Sequence, residues 1–211
     1  MRQIRKGDEP VALKHWKRVN SGKSYKDLSS DLRCEIGNAC VKEQSFLCGY
    51  CCKRIDVDSS HNEHLIPQRT DARRTLDFDN IIASCNTNKQ CGKAHGSKTL
   101  PMTPLMPECE TDLKYYISGV VEGLTDNAKN MIDVLNLGDT RKRNRRLVEI
   151  RKCIIFSLLF QHGTQPEELQ MLDADLIGLL IDEFESPDSG KLEAYSPVIV
   201  SVLRDMKRVF L

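Results

Sequence analysis

The chain has 211 residues, of which 40% are apolar and 29% charged, and its formal net charge is +1. These values are ordinary for one or two soluble globular domains, and the near-neutral charge favours no class of partner. The first twenty residues lack the apolar core of a secretory signal, and no run of about eighteen apolar residues exists. We therefore expect a cytoplasmic protein with no membrane association.

The N-terminal part is predicted to contain two helical segments. Residues 1–26 are basic and irregular, with a short helix expected at Val11–Val19. Residues 27–47 carry apolar side chains at near-helical spacing, and Asp27 or Ser29 is a candidate N-cap.

Residues 48–98 change in character, because they hold five cysteines, three of the five histidines and many polar residues. Short strands are expected at Arg54–Val57 and Asn80–Ser84.

The part after residue 106 is predicted to be a helical bundle. Helices are expected at five places, from hydrophobic spacing and end signals such as Gly163 and Pro166: Thr111–Leu124, Asp126–Leu137, Thr140–His162, Glu167–Glu185 and Ser196–Leu211. The predicted fold class is α+β, with a catalytic domain over 1–105 and a helical partner-binding domain over 106–211.

Two pairs of cysteines predict a structural zinc site. The preferred ligands are Cys48, Cys51, Cys85 and Cys91. Paired cysteines in a reducing compartment are more often metal ligands than disulfides, and four thiolates suit tetrahedral zinc. His95 is the alternative to Cys91 as fourth ligand, and Cys52 is left without a role.

A carboxylate and an imidazole stand together between the cysteine pairs, in the sequence His61-Asn62-Glu63-His64-Leu65-Ile66-Pro67. Because free imidazole titrates near ~6.5, His64 can take a proton from water. Glu63 can hold a divalent cation through a carboxylate oxygen. Neighbouring side chains on a strand point to opposite faces, so a strand end or a bend is needed for both to reach one phosphate.

The motifs CGYC, EHLIPQ, FDNIIASC and CGKAHGSK resemble, in this order, those of the HNH, or ββα-metal, nucleases. The resemblance implies a hairpin and a helix that grip one catalytic cation, Mg²⁺ or Mn²⁺, beside a zinc knuckle. It implies that His64 is the general base, that Glu63 is a cation ligand and that Asn80 fixes the loop. His61 is a further candidate ligand or phosphate contact.

The chain departs from the family pattern directly after the last cysteine, where the family places a second ligand and this chain has Gly92. His95 lies one helical turn later, and we assign it as the second cation ligand. Asn86 is a weaker candidate.

Residues 1 to about 105 resemble, more narrowly, the HNH subunit of Septu-type and retron-associated phage defence systems, the PtuB family. The resemblance implies an ABC-type ATPase partner, PtuA-like, together with retron components in some systems. The acidic helix at 167–185 would repel nucleic acid, and part of its apolar stripe is a candidate surface for the ATPase.

Binding of a nucleic-acid backbone requires positive charge. The candidate phosphate contacts are Arg69, Arg73, Arg74, Lys89, Lys93 and Lys98, and the basic run at 141–146 is a weaker one. Two alternatives stay open: an HNH restriction-type enzyme that cuts DNA alone, and a zinc adaptor that binds nucleic acid without cutting. The sequence also leaves DNA and RNA open as substrates.

Overall fold

A computed structural model of the chain describes residues 1–140, 143–161 and 174–209. Within these ranges, eight α-helices and two small antiparallel sheets form a mixed structure, which confirms the α+β class. No helix in the described ranges is long and apolar enough to cross a membrane.

Two helices precede the cysteine-rich segment: α1 spans Val11–Val19, as predicted, and α2 spans Ser30–Glu43. Ser29 is the N-cap of α2, because its hydroxyl accepts a hydrogen bond from the Leu32 amide at 3.2 Å. Asp27 instead closes a single 3-10 turn at Tyr25–Asp27.

The first sheet pairs β1, Ser60–His64, with β2, Ile81–Cys85, and a short helix α3, Gly92–His95, follows. The prediction of a strand at Arg54–Val57 was wrong, since only Arg54 forms an isolated bridge, to Leu47. Every residue of β2 is buried, so its apolar run selects the polar segment beside it as a pairing partner despite low strand propensity.

The second sheet is a hairpin where a helix was predicted. After α4, Glu108–Thr111, the strands β3, Leu113–Tyr115, and β4, Val121–Gly123, pair in antiparallel register. The predicted helix Thr111–Leu124 is therefore wrong. Gly119 adopts φ +82° in the connecting turn, where a Cβ would collide with the Val148 carbonyl.

Four helices complete the fold: α5 at Asp126–Leu135, α6 at Arg145–Gln161, α7 at Ala174–Glu185 and α8 at Ser196–Val209. The helix predicted at 126–137 ends two residues earlier, at Leu135, because the next residue, Asn136, adopts the left-handed conformation. Residues 141–142, 162–173 and 210–211 lie outside the described ranges. They include part of the basic run, the predicted stop at Gly163 and the first residues of the acidic helix predicted at 167–185.

In the apolar stripe predicted for α7, Leu180 is buried, Leu176 and Phe184 pack against the core, and Leu179 is exposed. Leu169 and Leu172, which were part of the same prediction, lie outside the described residues.

The buried core is continuous across residue 105. It runs from Met1 to Leu203 and includes both sheets. Main-chain hydrogen bonds also cross that point: Cys91 donates to Leu135 at 2.9 Å and Tyr195 to Cys52 at 2.8 Å. The division into domains at residue 105 stays a prediction.

One basic residue that follows the run at 141–146 is part of this interior. Arg151 is fully buried and donates to the Leu137 carbonyl at 2.7 Å, with its guanidinium over the Tyr115 ring. It therefore fixes α6 to the hairpin and does not contribute to a charged surface.

Candidate metal centre and active site

The four cysteines of the predicted zinc site lie together in the interior. Their sulfur atoms are all within 4.8 Å of one another, and all four residues are buried: Cys48, Cys51, Cys85 and Cys91. Zinc–sulfur bonds near 2.3 Å place the sulfurs of a tetrahedral site about 3.8 Å apart. The Cys51 and Cys85 sulfurs are 3.9 Å apart. The cluster could therefore hold a structural metal ion such as zinc, and Cys91, not His95, completes it.

Burial and mutual contact change the pKa values of these thiols. Contact with the neighbouring sulfur of Cys48 lowers the pKa of Cys85, whereas burial raises the pKa of Cys91. The Cys85 amide donates to the Cys48 sulfur at 3.3 Å. Because several thiolates repel one another in a buried site, a divalent cation is the natural counter-charge.

The loop that carries Cys91 is held by the C-terminal half. Cys91 has φ +52°, a left-handed conformation that is costly for a residue with a side chain. Its amide donates to the Leu135 carbonyl at 2.9 Å, and the Asn136 amide donates to the Lys89 carbonyl at 2.7 Å. The end of α5 therefore fixes the position of the fourth sulfur.

The second cluster is centred on the buried carboxylate of Glu63, on β1. One carboxylate oxygen lies 2.5 Å from His95 Nδ1 and the other 3.2 Å from His61 Nε2. Burial raises the pKa of Glu63, but its contacts with the ring nitrogens of His61 and His95 outweigh burial, so the pKa lies below its ordinary value.

The outer nitrogens of both imidazoles are engaged as donors. His95 Nε2–H donates to the Lys98 carbonyl at 2.7 Å. His61 Nδ1–H donates to Asn86 Oδ1 at 3.0 Å, because the Asn86 amide nitrogen donates to the Ser60 carbonyl. In each neutral ring the remaining lone pair then faces the carboxylate, and only a proton or a metal cation reconciles these groups.

The main chain at Gly92 packs directly against the Glu63 cluster. A Cβ at residue 92 would lie 2.5 Å from His61 Nε2 and 2.6 Å from Glu63 Oε2. The His61 ring therefore occupies the space that a side chain at residue 92 would need.

His64, the last residue of β1, is held in one tautomer. Its Nε2–H donates to the Thr75 carbonyl at 2.9 Å, which leaves the Nδ1 lone pair free to accept. The Gln68 amide nitrogen lies 3.2 Å from Nδ1. Burial lowers the pKa of His64, so the neutral ring, the form that accepts a proton, is favoured.

Asn80 fixes the turn that follows His64. Its side-chain oxygen accepts from the Ile66 amide at 2.8 Å, and its nitrogen donates to the carbonyls of Ile66 and Arg74, each at 3.1 Å. These bonds hold the turn at the end of the strand, which the sequence required if Glu63 and His64 are to reach one phosphate.

Glu63 and His64 both line an open cleft of about 710 Å³. Of the predicted phosphate contacts, Arg69 lines this cleft. Arg73 and Arg74 are paired with Asp71 and Asp77. Lys89, Lys93 and Lys98 are exposed, and the lining within the described residues does not include them.

Four residues at this cleft have no place in the sequence analysis. Thr75 and Gln68 bond the two nitrogens of His64, and the Tyr25 ring meets the His64 ring edge-on with centroids 4.8 Å apart. Lys26 lines the cleft beside Tyr25. The position of Gln68 directly after Pro67, at the strand end, was a signal that could have identified it. Tyr25 and Lys26 are distant in sequence and lie near His64 only in the folded structure.

Comparison with known proteins gives no match, either to a protein-family model or to a curated protein.

Proposed function

We propose that this chain is a metal-dependent nuclease of the HNH type, which hydrolyses phosphodiester bonds of nucleic acid at the cleft beside His64. The observation that carries the proposal is that a buried carboxylate, Glu63, and an imidazole, His64, are adjacent in the chain and line the same cleft. Among the described residues, the Nδ1 of His64 meets only the neutral Gln68 amide, while the preceding residue, Glu63, lies between one ring nitrogen of His61 and one of His95.

The order of elements supports the same conclusion. An antiparallel pair of strands, β1 and β2, is followed by the short helix α3, and each element carries one part of the site. Glu63 and His64 come from β1, Asn80 immediately precedes β2, and His95 comes from α3. Two strands followed by a helix is the order that the resemblance to HNH nucleases implies, and this agreement supports the proposal.

The residues present fit a catalytic divalent cation, Mg²⁺ or Mn²⁺. Glu63 and His95 would hold it, with His61 as a further ligand, because their free lone pairs converge on one buried region. When bound, the cation would neutralise charge that develops on the phosphate.

His64 supplies the base. Its Nδ1 takes a proton from water while the water oxygen forms a bond to phosphorus and one phosphorus–oxygen ester bond breaks. The Thr75 carbonyl keeps the other ring nitrogen protonated, so the imidazolium that forms stays hydrogen-bonded.

We further propose that the nuclease is the effector of a bacterial antiphage system, controlled by an ABC-type ATPase of the PtuA kind. This part depends on the resemblance of residues 1–105 to the PtuB family. The partly exposed face of α7 around Leu179 is the candidate contact for the ATPase.

The test is a cleavage assay with purified wild-type chain, alone and with the ATPase, on duplex DNA and on transfer RNA in the presence of Mn²⁺. His64→Ala is expected to lower cleavage by about 10²–10⁴-fold. His15→Ala, at an exposed histidine of α1, is the matched control and should cut like wild type.

Cleavage by wild type alone would favour the restriction-type alternative over control by an ATPase. Cleavage retained in His64→Ala would remove the proposed base. If no wild-type assembly cuts either substrate, the chain is better described as a zinc adaptor.

A further inference from the structure

The turn at residues 24–27 contributes to the lining of the cleft, as does the loop that follows Pro67. Ser24 and Lys26 line the cleft together with His64, Gln68 and Arg69. This turn precedes α2 and is separated from the catalytic strand by more than thirty residues of sequence, so it is an addition to the two strands and the helix of the nuclease site.

The turn is rigid. Ser24 donates its amide to the Asp27 carboxylate at 2.8 Å, which closes the turn as a capping box. Arg33, on α2, donates to the carbonyls of Lys26 at 2.7 Å and Tyr25 at 3.3 Å. The main chain of the turn is thereby bound to α2.

The turn is also fixed relative to the base. The Tyr25 ring packs edge-on against His64, and the Tyr25 hydroxyl accepts from the Asn62 amide at 2.8 Å. Because Lys26 follows Tyr25 directly, its main chain has a fixed position beside the reacting centre. The Lys26 side chain is exposed and free to reach a ligand in the cleft.

The charges around the cleft select Lys26 for this role. Two of the predicted phosphate-binding arginines, Arg73 and Arg74, already bond carboxylates, which offsets their charge. Asp27 is the acid nearest to Lys26 in the chain, and its carboxylate is bound by the Ser24 amide and hydroxyl. Lys26 and Arg69 are therefore the basic residues that supply positive charge to the described lining of the cleft.

We propose that the turn at 24–27 is a phosphate-binding wall of the nuclease site, in which Lys26 contacts the backbone of the bound nucleic acid and Tyr25 positions His64. The assignment rests on the proposed nuclease function and adds a binding element from outside its strands and helix. Lys26 would hold a phosphate beside the scissile one, with Arg69 as the other basic residue of the described lining.

The test measures binding without cleavage. The full chain and its Lys26→Ala, Lys26→Arg and Lys23→Ala variants are titrated with a labelled 30-base-pair DNA duplex and a single-stranded RNA, in Ca²⁺, over a series of salt concentrations. Lys23 is exposed and in the same segment but does not line the cleft, so it controls for loss of one surface charge.

Loss of one phosphate contact should weaken binding by Lys26→Ala several-fold and reduce the slope of log affinity against log salt by about 0.9 on duplex DNA. Lys26→Arg and Lys23→Ala should keep the wild-type slope. An equal loss in Lys26→Ala and Lys23→Ala, an unchanged slope, or no binding of either probe to wild type would overturn the assignment.

A parallel cleavage assay separates this proposal from the nuclease function. If wild type does not cut but Lys26→Ala alone changes the slope, the nuclease function fails and the binding wall stands. If wild type cuts and Lys26→Ala binds and cuts like Lys23→Ala, the wall fails and the nuclease stands. Tyr25→Ala, which removes the ring against His64, should cut more slowly with unchanged affinity. Tyr25→Phe, which keeps the ring but loses the bond from Asn62, should cut at a rate between those of Tyr25→Ala and wild type.

Discussion

The two clusters of polar side chains in the segment 48–98 differ in their access to solvent. The cysteine cluster is closed: four buried sulfurs face one another. The Glu63 cluster is open, because Glu63 and the adjacent His64 also line a cleft that solvent enters. Structural zinc sites have all four positions taken by protein, whereas catalytic cation sites leave positions for water and substrate.

This difference indicates how the segment divides its work. Four buried sulfurs and an amide donor gather the polypeptide at one end of β2, in addition to the apolar core that includes Ile81 and Ile82 of this strand. The carboxylate and imidazoles at the other cluster are then free to bind and release ligands. We expect substitutions in the closed cluster to affect folding and those in the open cluster to affect chemistry.

The largest effect is expected from Cys85→Ser. Loss of one of four sulfur ligands should abolish stoichiometric zinc binding and cost several kcal/mol of unfolding free energy, which lowers Tm by roughly 10 °C or more. Elemental analysis and thermal denaturation measure both quantities. Cys34→Ser, at an exposed cysteine of α2, should change neither. Full zinc content in Cys85→Ser would contradict the assignment of the cluster.

Glu63→Gln should affect chemistry far more than folding. The neutral amide keeps the size of the side chain but removes the charge between the two imidazoles, so Mn²⁺ titrated by calorimetry should bind weakly. Cleavage should fall about a hundredfold or more, since cation catalysis contributes several kcal/mol. The exposed Glu35→Gln on α2 is the control. Wild-type affinity for Mn²⁺ in Glu63→Gln would exclude this carboxylate as a ligand.

Asn80→Ala should have an intermediate effect on both properties. It removes three hydrogen bonds of a buried amide that fixes the turn after His64, which should cost about 2–3 kcal/mol by denaturant unfolding. Cleavage should fall by roughly tenfold because His64 loses its fixed setting. Asn38→Ala on the surface of α2 should be neutral; an equally small effect at Asn80 would show that the turn holds without it.

The smallest effect is expected from Gln68→Ala. The Gln68 amide contacts the free nitrogen of His64 from the open side, so its loss should change unfolding free energy by less than about 0.5 kcal/mol. Cleavage should change by no more than a few-fold, because the Thr75 carbonyl still selects the tautomer. A Gln68→Ala variant as unstable as Asn80→Ala would mean that the open cluster is also structural.

The cysteine cluster could be predicted from the sequence because its ligands come in pairs on short loops, and the spacing of each pair limits where its sulfurs can lie. The positions of β1 and the hairpin could not. The segment SHNEH has little strand propensity and pairs because a fully buried strand lies beside it. In the hairpin, alternation over three-residue strands was too short to outweigh helical spacing, although the Ser118-Gly119 turn was a signal.

The cleft was predictable in its centre and not at its edge. Glu63, His64 and the strand end at Pro67 are local in sequence, so their adjacency required no knowledge of the fold. Tyr25 reaches His64 only because Asn62 and Arg33 bring the turn before α2 against β1. The ion pairs that occupy Arg73 and Arg74 are also set by the turns of the folded loop.

The hydrogen bond from the Cys91 amide to the Leu135 carbonyl has a practical consequence for anyone who dissects this protein. A fragment cut after residue 105 would contain every proposed catalytic side chain, yet its fourth sulfur would sit on a loop released from its anchor. Inactivity of such a fragment would then reflect loss of the cysteine cluster, so shortened versions of this protein should retain the chain at least through α5.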